Sequence, residues 1–412
     1  ALTISLFGCG AQKNIENADV MKYANTITAP ELSEHLYIFA SDEFQGRNTG
    51  EPGQKMAAEY LVKEYKKLDI PSPAGVTNYY QPVPSSAFRG NVKDSENVLA
   101  FIEGSEKPEE ILVISSHYDH VGMDKDGNVF NGADDDGSGT VAILEIAEAF
   151  MKAKADGYHP KRSILFLNVT GEEKGLIGSK WYTDNPVFPL AQTVANLNID
   201  MIGRVGDGKE NAGDYVYLIG SDKLSTELHE LSEEVNKKYI NMELDYTYND
   251  ENDPNRFYFR SDHYNFAKNG IPIIFYFNGV HADYHKISDT PDKINYDMLA
   301  KRAQLVFLTA WEVANRDNRP VVDKTPPAPP ARIIGNVTIS SPEIIRKSFG
   351  QPEINFIACT ISPAASFMAT IFSKSFAKRI TVSGSIFEAV LPGTLYKIIG
   401  SGDSFAIAAK CW

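Results

Sequence analysis

Apolar residues with helical spacing open the patterned part of the chain. The stretch "TITAPELSEHLYIFAS" begins with Thr28, Pro30 and Glu31, a combination typical of a capped helix start. Residues 52–68 continue with apolar side chains three and four positions apart, which predicts a second helix.

After these helices, short β-branched runs alternate with helical stretches. The predicted strands are "NVLAFIEG", "EILVISSH", "RSILFLNVT", "VANLNIDMIG", "YVYLIG" and "IPIIFYFNG", and the longest helical stretch is "GTVAILEIAEAFMKAK". Apolar strands separated by helices are typical of an α/β fold with a central mixed, largely parallel β-sheet sandwiched between helices. In such sheets, ligands bind at the carboxyl ends of the strands.

The alternating pattern ends after Trp311. Prolines at 326, 327, 329 and 330 predict an extended linker, which we place at residues 320–331. Residues 332–412 carry eight Lys/Arg against four Asp/Glu and form an unassigned C-terminal appendage. A small β-rich segment, a poorly ordered tail and sequence not native to the rest of the protein are all consistent with this composition.

The composition is that of a globular protein with an acidic balance. The chain has 412 residues, 43% of them hydrophobic, a formal net charge of −14 and a pI near 5.1. Binding nucleic acid needs a basic surface, so we expect no nucleic-acid partner. Cys9, Cys359 and Cys411 lie far apart in sequence and far from every histidine, which argues against a thiolate zinc site or a disulfide framework. Any metal would therefore have nitrogen and oxygen ligands.

The first residues resemble the end of an export signal. In "ALTISLFGCGAQKN", the order Leu6-Phe7-Gly8-Cys9 resembles the bacterial lipoprotein box, whose cysteine is lipidated after cleavage. We interpret residues 1–20 as a truncated leader and linker with a lipid anchor at Cys9. The protein would then be exported, either as a periplasmic or outer-membrane-anchored lipoprotein or in secreted form. A frayed terminus holding a chance cysteine is the alternative.

Metal-capable side chains follow four of the predicted strands and precede one predicted helix. Along the chain these are His117, Asp119, the aspartates of "NGADDDGSGT", Glu172, Glu173, Asp200, His281 and His285. Taken singly, each has an ordinary structural explanation, since aspartates favour caps and turns and a lone histidine seldom binds a metal. Together, two His, two Asp and one Glu suit zinc or a similar divalent cation. Two ions explain the charge better than one, because one ion with three protein ligands would leave two acidic groups buried without compensation.

Five motifs in order resemble the co-catalytic zinc aminopeptidases, the bacterial leucyl-type zinc exopeptidases and their relatives. The motifs are "SSHYDHVG", "NGADDDGSG", "TGEEKGLIGS", "NIDMIG" and "YHKISDTPDKIN", with softer matches at "SDEFQGRNTGEPG" and "RSDHYNFAKNGIP". The resemblance runs from about Thr28 to Trp311. It implies a zinc aminopeptidase domain, which we place at residues 21–319.

The resemblance also implies a set of metal ligands. His117 and Asp200 would hold one ion, Glu173 and His285 the other, and Asp135 would bridge the two. The cofactors would be two Zn²⁺ ions, with Co²⁺ or Mn²⁺ as alternatives.

Three further residues would serve the chemistry. Glu172 matches the general base, which would activate a metal-bridging water, and Tyr284 matches a phenol that stabilises the tetrahedral intermediate. Asp119 matches the carboxylate that orients the ring of His117. Ser261 and Asp262 align with a supporting segment. The remaining histidines are interpreted as structural or surface residues: His35, His120, His159, His229, His263 and His281.

The implied activity is that of a metallo-exopeptidase, a hydrolase that cleaves the N-terminal peptide bond of peptides with a free N-terminus. One or two aromatic rings from residues 245–260 are expected to wall the pocket for a neutral or apolar first residue. A glutaminyl cyclase on the same scaffold, which works with one metal, is the nearest alternative. A carboxypeptidase would need a basic group such as Arg260 for a terminal carboxylate, and a non-catalytic binding module would be expected to lose ligands.

Overall fold

The structure is a computed structural model, and it describes residues 13–325 together with three C-terminal strands. The chain divides into two compact units, Ala1–Pro327 and Ala328–Trp412. The predicted lipid-anchor residue Cys9 and most of the unassigned C-terminal segment lie outside the described residues.

The described part of the first unit contains eight α-helices. Their bounds are α1 (Val20–Ala24), α2 (Ala29–Phe39), α3 (Pro52–Lys67), α4 (Gly139–Ala155), α5 (Ile177–Asp184), α6 (Thr226–Val235), α7 (His263–Ala267) and α8 (Tyr296–Asn315). Helix α2 begins as its sequence predicts, because the Thr28 hydroxyl accepts a hydrogen bond from the Glu31 N–H and donates to the Glu31 carboxylate.

An eight-stranded sheet forms the centre of this unit. Its strands, in spatial order, are β1 (Tyr80–Val83), β2 (Ser95–Ile102), β6 (Arg162–Val169), β3 (Lys107–His117), β7 (Thr193–Ile199), β10 (Ile273–Phe277), β8 (Tyr215–Ile219) and β9 (Glu243–Asp245). A separate hairpin pairs β4 (Gly122–Met123) with β5 (Val129–Phe130).

The four central strands, β6, β3, β7 and β10, run parallel to one another. On one side, β1 pairs antiparallel with β2, and β2 pairs antiparallel with β6; on the other side, β8 pairs antiparallel with β10 and parallel with β9. The predicted α/β architecture with a mixed, largely parallel sheet is therefore confirmed. Because the central strands are parallel, their carboxyl ends lie at one edge of the sheet.

Both faces of the sheet are buried under helices. Along β3, Leu112 and Ile114 belong to a core shared with α1 to α4, α6 and α8, whereas Ile111 and Val113 belong to a core shared with α5 and α7. This alternation follows from the two-residue period of a strand, and burial on both faces explains the continuous apolar runs in the sequence.

The second unit is described only through its strands. Strands β11 (Ile386–Leu391), β12 (Thr394–Gly400) and β13 (Phe405–Cys411) form an antiparallel sheet in the order β11-β12-β13. Across the described residues of the chain, none of the helices combines the length and apolarity that a bilayer crossing requires.

Candidate metal centre

The acidic loop at residues 131–138 is held by Arg47, a fully buried side chain. Its guanidinium donates to the backbone carbonyls of Asn131 (2.6 Å), Gly132 (2.8 Å) and Tyr118 (3.0 Å). Burial lowers the pKa of Arg47 to about 10, which leaves the group charged at neutral pH. One cation thus ties the acidic loop to the residue that follows β3.

The outer two of the three consecutive aspartates have partners within the protein. Asp134 Oδ2 lies 3.0 Å from His281 Nε2. Asp136 accepts hydrogen bonds from the backbone N–H groups of Met201 (3.0 Å) and His117 (3.2 Å). These contacts fix the loop against the ends of β3 and β7.

The middle aspartate, Asp135, faces two imidazole rings. Its Oδ1 lies 3.2 Å from His117 Nε2, and its Oδ2 lies 2.9 Å from His285 Nε2. Oδ2 is buried, and within the described part of the chain it has no hydrogen-bond partner. A carboxylate placed in this way has one oxygen for each of two neighbouring cation positions.

On one side of Asp135, the ends of β3 and β7 meet. His117 Nε2 lies 3.6 Å from Asp200 Oδ1, while Asp200 Oδ2 accepts a hydrogen bond from Ser261 Oγ at 2.6 Å. Ser261 therefore fixes one oxygen of Asp200 and leaves the other facing His117.

The ring of His117 is oriented differently from the expectation for Asp119. His117 Nδ1 lies 3.1 Å from the main-chain carbonyl oxygen of Asp119, whereas the carboxylate of Asp119 is 3.8 Å away, too far for a hydrogen bond. That carboxylate instead accepts from the Thr49 hydroxyl (2.6 Å) and from the Glu172 backbone N–H (3.2 Å). The backbone carbonyl of Asp119 therefore orients the His117 ring, because the Asp119 carboxylate is already engaged by Thr49 and Glu172.

On the other side of Asp135, Glu173 meets two histidines. Its Oε1 lies 3.1 Å from His285 Nε2 and 3.1 Å from His120 Nδ1. Burial and the charge of Asp135 would raise the pKa of Glu173, but the two imidazoles lower it to about 2. Glu173 is therefore ionised and available as a ligand.

The donor atoms fit metal ions. Two groups lie within 4.8 Å of one another: His117, Asp136 and Asp200, and His120, Asp135 and Glu173. Asp136 is already bonded to backbone N–H groups, so Asp135 is the better third donor for the first group. Asp135 Oδ2 and Glu173 Oε1 are buried without a hydrogen-bond partner among the described residues, although nearly all buried polar atoms have one. The all-nitrogen and oxygen set suits zinc.

Glu172 and Tyr284 line the pocket beside these donors. Burial raises the pKa of Glu172 well above its ordinary value; His117 opposes this shift and the carboxylate of Glu173 reinforces it. Burial and the nearby carboxylates also raise the pKa of Tyr284, so its phenol keeps its proton at neutral pH. The pocket therefore holds one group suited to accept a proton and one suited to donate a hydrogen bond.

The pocket has an acidic side and an apolar wall. Its lining residues are Asp135, Glu172, Asp200, Met201, Phe257, Arg260, Ser261, Phe275, Phe277, Val280 and Tyr284. Of the aromatic rings in residues 245–260, Phe257 contributes to this wall. The Arg260 guanidinium lies 4.9 Å from the Phe257 ring centroid, and no carboxylate within residues 13–325 forms an ion pair with it.

The structure brings the five sequence-predicted ligands together and adds residues that the sequence did not single out. The sequence predicts a structural or surface role for His120, yet the structure places it among the side chains that could hold a metal. A second histidine three positions after His117, at the same strand end, was the available signal. Arg47 and Thr49 come from the softer match "SDEFQGRNTGEPG" and support the site through hydrogen bonds.

Known sequences resemble the central part of the chain. The sequence profile of "Peptidase family M28" matches residues 97–310. A "leupeptin-inactivating enzyme 1" from Streptomyces exfoliatus is 32% identical over 259 residues, covering 63% of this chain and 50% of that protein. A "probable leucine aminopeptidase" from Arthroderma otae is 30% identical over 304 residues, covering 72% of this chain and 76% of that protein. The chain spans about half the length of two of the curated relatives that it matches.

Solved structures share the fold. LapB from Legionella pneumophila has a TM-score of 0.58 at 22% identity, covering 73% of this chain and 76% of that chain. A zinc aminopeptidase from Bacillus subtilis has a TM-score of 0.54 at 17% identity, with coverages of 71% and 96%. A Bacteroides thetaiotaomicron glutaminyl cyclase bound to N-acetylhistamine has a TM-score of 0.55 at 17% identity, with coverages of 69% and 98%. Since a peptidase and a cyclase both share it, the fold alone does not decide the reaction.

Proposed function

The chain belongs to peptidase family M28, and on that premise we propose that it is a metal-dependent aminopeptidase, a hydrolase that removes the first residue from peptides with a free N-terminus. The observation that carries this proposal is the position of Asp135 between His117 and His285, with Asp200 and Glu173 completing the two sides.

The proposed enzyme holds two divalent ions, Zn²⁺ or alternatively Co²⁺ or Mn²⁺. His117 and Asp200 would hold one, Glu173 and His285 would hold the other, and Asp135 would serve both. When bound, such ions would supply a water of lowered pKa and would polarise the scissile carbonyl. The unpartnered oxygens of Asp135 and Glu173 support this assignment, because buried carboxylates without donors would otherwise be costly.

The other side chains of the pocket have separate tasks in the proposed reaction. Glu172 accepts the proton of the attacking water and passes it to the leaving amine, a role for which its raised pKa is suited. The Tyr284 phenol donates a hydrogen bond to the oxygen that gains negative charge. Met201, Phe257 and Val280 favour a neutral or apolar side chain on the first residue.

Three other functions remain as alternatives. A glutaminyl cyclase shares the fold but would use one ion and release ammonia instead of an amino acid. A non-catalytic binding module is disfavoured because every proposed ligand and the general base are present. A carboxypeptidase gains support only from Arg260, whose guanidinium lines the pocket without an ion-pair partner among residues 13–325 and could hold a terminal carboxylate.

Metal analysis of the purified protein, combined with a substrate panel, tests these functions. The panel contains aminoacyl amides, a peptide with N-terminal glutamine, and an N-acetylated peptide with a free carboxyl end. About two metal equivalents and release of the first amino acid would support the aminopeptidase. Cyclisation of the glutaminyl peptide with one equivalent would replace it by the cyclase. Cleavage of the acetylated peptide would identify a carboxypeptidase, and neither metal nor turnover would leave the binding module.

Export and lipidation are proposed on sequence alone. Cys9 would carry the lipid, and the protein would be periplasmic, anchored in the outer membrane or secreted. Fractionation of cells that express the natural gene, with a Cys9→Ser variant as control, tests this proposal. Equal distribution of both proteins between the soluble and membrane fractions would contradict the anchor.

A further inference from the structure

His120 lies at the metal centre in a position fixed by the fold. It is fully buried, and its backbone N–H donates to the carbonyl oxygen of Arg47 at 3.1 Å. Gly132 makes room for its ring, because a Cβ at that position would lie 2.6 Å from the ring carbons Cγ and Cδ2. Gly132 also has a φ of 55°, which glycine adopts without strain. The position of the His120 ring is therefore fixed by the hydrogen bond of its backbone and by its contact with Gly132 of the acidic loop.

The ring nitrogens of His120 have no hydrogen-bond partner among the described residues. Nδ1 lies 3.1 Å from Glu173 Oε1 and 3.7 Å from Asp135 Oδ2, and these two oxygens are unpartnered as well. Three buried polar atoms thus converge without forming hydrogen bonds to one another. Buried polar atoms in native proteins nearly always have a partner. One metal ion bound by these three atoms would explain why none of them has a hydrogen-bond partner.

His285 stands in the same relation to these oxygens. Its Nε2 lies 3.1 Å from Glu173 Oε1 and 2.9 Å from Asp135 Oδ2. Donors bound to one zinc ion at about 2.0–2.2 Å lie roughly 3.0–3.6 Å apart. Both histidines lie at 3.1 Å from Glu173 Oε1, within that range, and their contacts to Asp135 Oδ2, at 2.9 and 3.7 Å, lie at its two ends. His120 Nδ1 and His285 Nε2 therefore face the same two carboxylate oxygens.

We propose that His120 Nδ1 is a fourth protein ligand of the ion held by Glu173, His285 and Asp135. This inference rests on the two-ion site proposed above. The two ion positions are then unequal: one has four protein ligands, and the other has three, namely His117, Asp135 and Asp200. Structural zinc sites are closed by four protein ligands, whereas catalytic sites keep a position open. The four-ligand ion is the retained one, and the open coordination position belongs to the ion at His117 and Asp200.

Counting the coordinated imidazoles tests the proposal on the unaltered protein. In the protein loaded with Co²⁺ in water, each coordinated histidine gives one strongly shifted, exchangeable N–H resonance in proton NMR. We expect three such resonances, from His117, His285 and His120, and two in His120→Gln. Only two resonances in the unaltered protein at full loading would overturn the proposal.

Metal affinity provides a second measurement. Stepwise removal of Zn²⁺ by a chelator should take the His117 ion first in the unaltered protein. In His120→Gln, the dissociation constant of the other ion should rise about 100-fold or more, exceeding the usual effect of an outer-sphere residue. The control is His263→Gln, which alters an equally buried histidine that is bonded to the Tyr258 carbonyl. Unchanged dissociation constants in His120→Gln would overturn the proposal.

Failure of this inference can be told from failure of the proposed function. A protein that binds two ions and releases amino acids, but shows two imidazole resonances, would lose only the role of His120. A protein that binds no metal would lose both proposals.

Discussion

Two clusters of the first unit bring a histidine and a buried carboxylate together, and only one of them calls for a metal. In the helical cluster, formed by His35 of α2, Tyr60 of α3 and Glu145 of α4, His35 Nδ1 lies 2.5 Å from the Tyr60 hydroxyl and Nε2 lies 3.4 Å from Glu145. His35 Nδ1 thus has a hydrogen-bond partner in the protein, and neither of its ring nitrogens is among the buried atoms that lack one. In the metal centre, His120 lacks any such partner among the described residues.

The difference between the two clusters shows which structural feature indicates metal binding. A histidine beside a buried carboxylate is common to both clusters, so this pairing alone does not mark a metal site. What separates them is that the donors of the metal centre converge without satisfying one another. Substitutions at matching positions of the two clusters therefore test this distinction.

The largest expected difference is between two buried glutamates. Glu172→Gln should lower kcat by about 10²–10⁴-fold while both metal equivalents remain, because the amide cannot accept the proton. Glu145→Gln should leave kcat unchanged and reduce thermal stability, because it removes the ion-pair partner of His35. Steady-state kinetics and metal analysis check both variants. Near-normal turnover in Glu172→Gln would remove it from the role of general base.

The next difference is between two histidines. His285→Ala should lose about one metal equivalent, since it removes one of the ligands shared with Asp135 and Glu173. His35→Ala should keep the full metal content. Inductively coupled plasma analysis after gel filtration measures both. Unchanged metal content in His285→Ala would exclude this histidine from the ligand set.

A smaller difference is expected between two supporting hydroxyls. Ser261→Ala removes the donor to Asp200 Oδ2 and should weaken binding of one ion about 10-fold. Tyr60→Phe removes the partner of His35 and should cost about 1 kcal/mol of unfolding free energy without changing metal affinity. Competition with a coloured chelator and urea unfolding separate the two effects. Equal metal affinities in Ser261→Ala and the unaltered protein would mean that Asp200 needs no such support.

The smallest expected effect is a pH dependence in the helical cluster. Burial alone would lower the pKa of His35, but Glu145 raises it above its ordinary value of 6.5. Folding that raises the pKa of a histidine adds stability at pH below its unfolded pKa, and this stability is lost as pH rises through the folded pKa.

The difference in unfolding free energy between the unaltered protein and His35→Gln should accordingly be about 1 kcal/mol near pH 6 and shrink at higher pH. Urea unfolding at a series of pH values measures it. A difference that grows with pH would mean that His35 is neutral in the folded protein.

The sequence was sufficient to predict the sheet and the strand ends. Apolar runs such as "EILVISSH" fix a strand by their own pattern, and parallel packing then brings His117 and Asp200 to one edge. The resemblance to the zinc aminopeptidases identified Asp135 as the metal-bridging member of three consecutive aspartates. Hydrophobic periodicity alone could not distinguish it from the other two. The domain bounds at 21–319 and the roles of the site residues stay predictions.

Other features depend on contacts that no local pattern encodes. The position of His120 near the end of β3 was the one local signal for it, but its burial and its contacts come from Gly132 and Glu173, 12 and 53 positions later in the chain. The engagement of the Asp119 carboxylate by Thr49 rather than by His117 depends on how a loop some 70 positions earlier folds back. The order of the strands and the antiparallel addition of β1 and β2 likewise arise from tertiary packing.

The buried guanidinium of Arg47 has a practical consequence for shortening this protein. The span that matches the family, 97–310, begins 50 residues after Arg47 and omits Thr49 as well. A fragment cut to that span would leave the carbonyls of Asn131 and Gly132 without their donor and the loop bearing Asp135 without its anchor. The smallest piece worth expressing therefore starts upstream of Arg47, well outside the span that the family profile matches.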